Sequence, residues 1–231
     1  MVQIYKNRYA AIVILFVKKI STKIPTYCFY IRGMSHILSL HYLPNIYWMR
    51  QLLQGNCIID GHEYFVKQTY RNRTLILAAN GVMPLTIPVK KTASKIKMMD
   101  LEPDNTVAWQ RQHLESIKSA YGSASYFIHY IDAFEQLYKT PCTSVFEFEL
   151  NMLKLIIKLL KVQVDINLSA SYVEATENDI DLRGIITPKI KLNEPFKPYL
   201  QVFTEKFPFT ENLSVLDVLF NHGPRATSYI L

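Results

Sequence analysis

The segment Glu63-Tyr64-Phe65-Val66-Lys67-Gln68-Thr69-Tyr70-Arg71-Asn72-Arg73 is the densest run of polar chemistry in this 231-residue chain. In an extended backbone, side chains two residues apart share a face. Lys67, Thr69, Arg71 and Arg73 would then present three fixed cations together. Such a face attracts a phosphate, a carboxylate or a nucleotide, and arginine grips these groups with two parallel hydrogen bonds. Gln68 and Asn72 would orient the ligand through neutral hydrogen bonds. At the head of the segment, Glu63 and His62 are the residues able to accept a proton, with Glu63 the first choice as general base and His62 the second. The competing reading is a solvated hairpin edge whose charges deter aggregation. The absence of any acid between Glu63 and Asp100 favours binding, because a guarding surface mixes signs.

A second cluster lies downstream. Asp181 and Arg183 flank Leu182, close enough for a local ion pair. Asp217 and Asn221 stand one helical turn apart and so share a face. His41 ends the first strand-like run and is a weaker candidate. No phosphate-binding loop, dinucleotide fingerprint, nucleophile elbow or His-Glu-x-x-His motif occurs, so no single motif names a reaction. Cys28, Cys57 and Cys142 are scattered, with no zinc-type spacing. No metal or cofactor is expected. An odd, dispersed set of cysteines fits a reducing compartment, which points to the cytoplasm.

The elements that must position these residues follow from periodicity and punctuation. Ile37–His41 and Cys57–Ile59 read as short buried strands. Between them Ile46, Tyr47, Trp48, Leu52 and Leu53 form a helical stripe, entered at Pro44 and ended by Gly55. Strand, helix of about eleven residues and strand make a parallel crossover. Ligands sit outside the carboxyl ends of such strands, which places His41-Tyr42 and Asp60-Gly61-His62-Glu63 on one rim. Arg73–Ala78 and Met83–Val89 flank Asn80-Gly81, predicting a β-hairpin with a slightly lengthened loop. Three helices follow: one carrying Trp109, Ile117 and Tyr121, one from Ser125 through Leu137, and one capped by Thr143 or Ser144 and carrying Leu150 to Leu160. Val162–Leu168 alternates like a strand, and Tyr199–Phe203 reads as another. A last helix begins near Asn212 and closes at Gly223-Pro224. The class is α/β or α+β, with a small, partly parallel sheet.

Charge narrows the candidate partners. The formal net charge is +7, and pI is near 9.2. Six of the bases, Lys6, Arg8, Lys18, Lys19, Lys23 and Arg32, lie in residues 1–33 without one acid, leaving 20 bases against 19 acids in the rest. A near-neutral body argues against strong non-specific nucleic-acid binding. The apolar run Ala10–Val17 is far below the ~20 residues of a spanning helix, and no good cleavage site follows it. Residues 1–33 are therefore read as a basic extension, with translation expected to start at Met34 and a single domain over 34–231. The local excess is the acid-free stretch Lys67, Arg71, Arg73, Lys90, Lys91, Lys95 and Lys97.

These motifs together resemble the WbqC-like protein family. The likeness is carried by Lys67-Gln68-Thr69-Tyr70-Arg71-Asn72-Arg73, Asn80-Gly81 and Leu85-Thr86-Ile87-Pro88-Val89-Lys90. It continues in Tyr42-Leu43-Pro44, Trp109 to Tyr121, Ser125-Tyr126-Phe127, Asp181-Leu182-Arg183, Gln201-Val202-Phe203 and Asn212 to Pro224. It covers about residues 37–231. The resemblance implies a role in O-antigen-type surface-polysaccharide assembly, with a transferase function suggested for the family. It adds Lys90 to the recurring polar positions, and His222 departs from the acidic residue often found there. The implied partners are an anionic donor, either a nucleotide-sugar or an activated amino acid, and a glycan acceptor. The implied location is cytoplasmic, peripheral at the inner membrane face. The rival expectation is a non-catalytic binding protein of the same machinery.

Overall fold

The computed structural model describes residues 35–91 and 95–231. The chain divides into two units, Met1–Arg32 and Gly33–Leu231, and every described residue belongs to the second. The expectations for the basic extension and for a start at Met34 fall outside the described residues.

Four short parallel strands form the sheet that carries the site. Strand β1 (Ser35–Leu38) pairs with β2 (Asn56–Ile59), Ser35 opposite Asn56 and Leu38 opposite Ile59. Helix α1 (Ile46–Gln54) connects them, completing the expected crossover. Asn45 caps it by accepting the Trp48 N–H at 2.9 Å, which satisfies one of the unpaired donors of the first turn. Pro44 thus precedes the cap instead of opening the helix, and its carbonyl accepts from Val215 N–H.

The hairpin comprises β3 (Arg73–Ala78) and β4 (Gly81–Thr86), with Ala78 opposite Gly81. Its loop is therefore the two residues Ala79-Asn80, shorter than predicted. Gly81 has φ +110°, a conformation that a side chain would resist.

Helices α2 (Trp109–Tyr121), α3 (Phe127–Lys139) and α4 (Val145–Leu160) follow as expected. Ser144 caps α4 by accepting from Glu147 N–H. Two further strands, β5 (Asn167–Leu168) and β6 (Ile180–Asp181), complete the sheet in the order β5-β2-β1-β6. Of the predicted strand 162–168, only this last pair of residues joins the sheet. Helices α5 (Val215–His222) and α6 (Thr227–Ile230) end the chain.

Two expectations fail for local reasons. Tyr199–Phe203 is not a strand: the Gln201 side chain bonds both the carbonyl and the N–H of Thr210, so side-chain bonds fold this segment where a ladder was expected. Asn212 does not start the last helix. Its side chain accepts the Tyr47 N–H of α1, and Ser214 caps α5 instead.

One contiguous core joins sheet and helices. Phe220 of α5 is fully buried and meets the rings of Tyr121, Phe127 and Phe134 at centroid separations of 5.4–5.5 Å. The architecture, a small mostly parallel sheet with a hairpin and helices, is α/β.

Candidate functional site

Asp60 directly follows β2 and has no solvent exposure. A buried carboxylate is tolerated only when its lone pairs are filled, and here the partners come from three segments of the chain. Oδ1 accepts the His62 N–H at 2.9 Å and the Ser169 hydroxyl at 3.1 Å. Oδ2 accepts the Val173 N–H at 3.2 Å and Nη1 of Arg183 at 2.5 Å. One side chain thus ties together the segments leaving β2, β5 and β6 at their carboxyl ends. In parallel sheets that is where ligands bind.

Arg183 leaves β6 and turns back onto Asp181. Its Nε lies 2.9 Å from Oδ1 and its Nη2 2.5 Å from Oδ2 of that carboxylate. Burial alone would raise the Asp181 pKa, but the hydrogen bonds from Arg183 prevail and hold it below the ordinary carboxylate value. The same bonds raise Arg183. Its guanidinium lies 4.8 Å from the centroid of the Tyr172 ring, a cation–π contact that fixes the ring plane.

Arg71 and Glu63 form a second bidentate pair, Nε to Oε1 at 2.9 Å and Nη2 to Oε2 at 2.6 Å, both side chains less than a tenth exposed. Arg71 also donates to the Thr69 hydroxyl and to the Arg183 carbonyl. That last bond links the two ion-pair systems.

Above them opens a cavity of about 720 Å³, within the range of small-molecule sites. Glu63, Arg71, Asp181 and Arg183 line it, together with His62, Val66 and Lys97. Tyr64 and Tyr172, 52% and 54% exposed, stand at its mouth. Asp60, Glu63 and Asp181 supply three carboxylates against two guanidinium groups, so the floor carries no net positive charge. Its arginine donors are largely consumed. His62 is half-buried, and its ring makes no hydrogen bond among the described residues.

The structure brings together part of what the sequence singled out. Glu63, His62, Arg71, Asp181 and Arg183 converge on this cavity, so the two separate clusters meet there. The predicted period-two face does not form. Residues 67–72 are turns, Gln68 has φ +62°, Lys67 and Gln68 are exposed, and Arg71 is buried. Of the expected face only Thr69 and Arg71 line the cavity, because the turn carries Lys67 out to solvent; Gln68 and Arg73 do not line it either. Asn72 is buried and donates to the Ile87 carbonyl, holding the end of β4. Lys90 is an exposed partner of Glu102 at 2.5 Å.

Asp217 and Asn221 belong elsewhere. Asp217 is buried under the helical layer and accepts from Tyr199 and Gln201 at 2.7 and 2.8 Å, while Asn221 donates to the Asp217 carbonyl. Burial raises the Asp217 pKa to about 6, against those hydrogen bonds. His41 is off the rim as well: it is 1% exposed, and burial lowers its pKa.

Sequence reasoning placed Asp60 on the rim and Lys97 in the acid-free stretch without assigning either a role, and it gave Tyr64 and Tyr172 no place in the site. Asp60 had a signal, a lone acid at the end of an apolar strand. The acid-free stretch marked Lys97 as basic, but its place at the cavity depends on the antiparallel bridge with Tyr64.

The model of the WbqC-like protein family matches residues 41–194. This spans β2, the hairpin and Arg183, but not the terminal helices that also carried the resemblance. No curated protein and no solved structure matches the chain.

Proposed function

The chain belongs to the WbqC-like protein family, and from that premise we propose that it is a transferase of O-antigen-type surface-polysaccharide assembly. It passes a sugar or a glycyl-type acyl unit from an anionic activated donor to a glycan acceptor: the acceptor oxygen or nitrogen bonds the transferred carbon, the bond from that carbon to the donor's leaving group breaks, and that group departs with the bonding electrons as an anion. The observation that carries this reading is the cavity at the carboxyl ends of the parallel strands, with two rigid ion-pair systems as floor and His62 on its wall.

The roles differ from those expected from sequence. A carboxylate held bidentately by a buried arginine is a poor base, because taking up a proton forfeits two charge-assisted bonds. Glu63 therefore acts with Arg71 as a fixed hydrogen-bonding surface, and His62 takes the proton from the acceptor hydroxyl or amine. The reaction runs on the cytoplasmic side, at the inner membrane face; among the described residues no helix is long and apolar enough to cross a membrane.

His62→Gln tests the assignment. In a strain lacking the gene, the variant should fail to restore the surface glycan while its melting temperature stays that of the parent. Full restoration by His62→Gln removes the catalytic role. A non-catalytic binding module is the second reading, favoured by the engagement of Glu63 and Asp181 in ion pairs. It predicts that His62→Gln restores the glycan, whereas substitutions that block the cavity do not.

A further inference from the structure

With its floor arginines paired, the cavity must recognise an anion elsewhere, and the wall beside it has the means. Residues 63–66 and 95–98 run antiparallel: Tyr64 bridges Lys97, Phe65 N–H donates to the Ile96 carbonyl, and Met98 N–H donates to the Glu63 carbonyl. Directly paired residues and those two positions away share a face. One face of this ribbon therefore carries Tyr64 and Val66 on one side, and Lys95 and Lys97 on the other. Lys97 lines the cavity, and the Lys95 ammonium lies 5.6 Å from the centroid of the Tyr64 ring. Lys95 and Lys97 are exposed, and neither forms an ion pair among the described residues. The nearby acids do not neutralise them: Asp100 is exposed without an ion-pair partner, and Asp181 is held by Arg183.

We propose that this ribbon face is a phosphoryl-binding site, with Lys95 and Lys97 as its donors and Tyr64 as the platform for the group that the phosphate carries. Two ammonium groups two residues apart on one strand share its face and bracket a phosphate or diphosphate, and a half-exposed ring held by a backbone bridge to that strand offers a flat surface at little ordering cost. The proposal deepens the transfer reading, on which it rests, by assigning the donor's anion to the lysine ribbon instead of to Arg71 and Arg73.

The test uses the full chain and inorganic pyrophosphate, titrated by calorimetry. Parent protein and the control Lys154→Ala, an exposed lysine of α4, should bind alike. The double variant Lys95→Ala/Lys97→Ala should bind at least ten-fold more weakly with an unchanged melting temperature. A parallel arm measures co-sedimentation with phosphatidylglycerol and with phosphatidylcholine vesicles. Selective loss of the phosphatidylglycerol binding in the double variant, without pyrophosphate binding by the parent, identifies the phosphoryl group as a lipid headgroup. Failure of the parent to bind either probe overturns the site, as does binding that the double variant keeps. The glycan result for His62→Gln is read without either probe, so the site can fail while the transfer reading stands.

Discussion

Buried charges at the site are tuned by their neighbours, and single substitutions read this out. Removing one partner of a buried pair leaves the other uncompensated, at a typical cost of about 3–5 kcal/mol. Arg71→Ala should therefore destabilise the fold by that order in urea denaturation, because Glu63 would be left buried without its partner. The double variant Glu63→Gln/Arg71→Met should recover part of the loss. Arg71→Ala is thus a poor probe of ligand binding on its own. Asp217 has the opposite logic. Its folded pKa is about 6, above the unfolded value, so folding favours the protonated form. Its contribution is fully present below the unfolded pKa of about 3.9 and is lost as pH rises through about 6. Asp217→Asn keeps an acceptor for Tyr199 and Gln201 without the charge. Denaturation at pH 8 should find the variant at least as stable as the parent, with any advantage, at most about 3 kcal/mol, vanishing near pH 4. A variant advantage that grew as pH fell would contradict the assigned burial.

Elements are held by terminal contacts more than by propensity. Gly223 closes α5 at φ +54°, and a Cβ there would collide with the Tyr126 ring. Gly223→Ala should cost more than the ~1 kcal/mol of an ordinary glycine replacement, measured as a lower urea midpoint with unchanged slope. Phe220→Ala, on the same helix, removes a ring that three other rings surround, and should cost about 3–5 kcal/mol. At this scale much was legible beforehand. The α1 stripe, the Ser144 cap and the Asn80-Gly81 turn are local signals, set by residues within a few positions of one another. The 67–73 segment was misread because period two assumes an extended chain. The turn there exists to bring Arg71 under Glu63, a partner eight residues upstream.

At the scale of the molecule, Trp48 on α1 and Trp109 on α2 share one buried core, which predicts a single cooperative unit over the described residues. Urea unfolding followed by far-UV circular dichroism should superimpose on the fluorescence transitions of both Trp48→Phe and Trp109→Phe. Transitions that separate would mean that sheet and helical layer unfold independently. The charge distribution also acts at this scale. The described body is nearly neutral, so the proposed anion site would draw its affinity from the lysine ribbon and not from the charge of the whole surface.

The sequence by itself determined the crossover, the hairpin, the three central helices, the family and the acid-free stretch, because each is written in spacing, punctuation or composition. Only the tertiary structure decided which charges are spent. Arg71 meets Glu63, Arg183 meets Asp60, and Lys97 meets Tyr64 through contacts between separate segments. Whether a cation is buried and paired or exposed and free depends on those meetings, and no pattern along the chain encodes them.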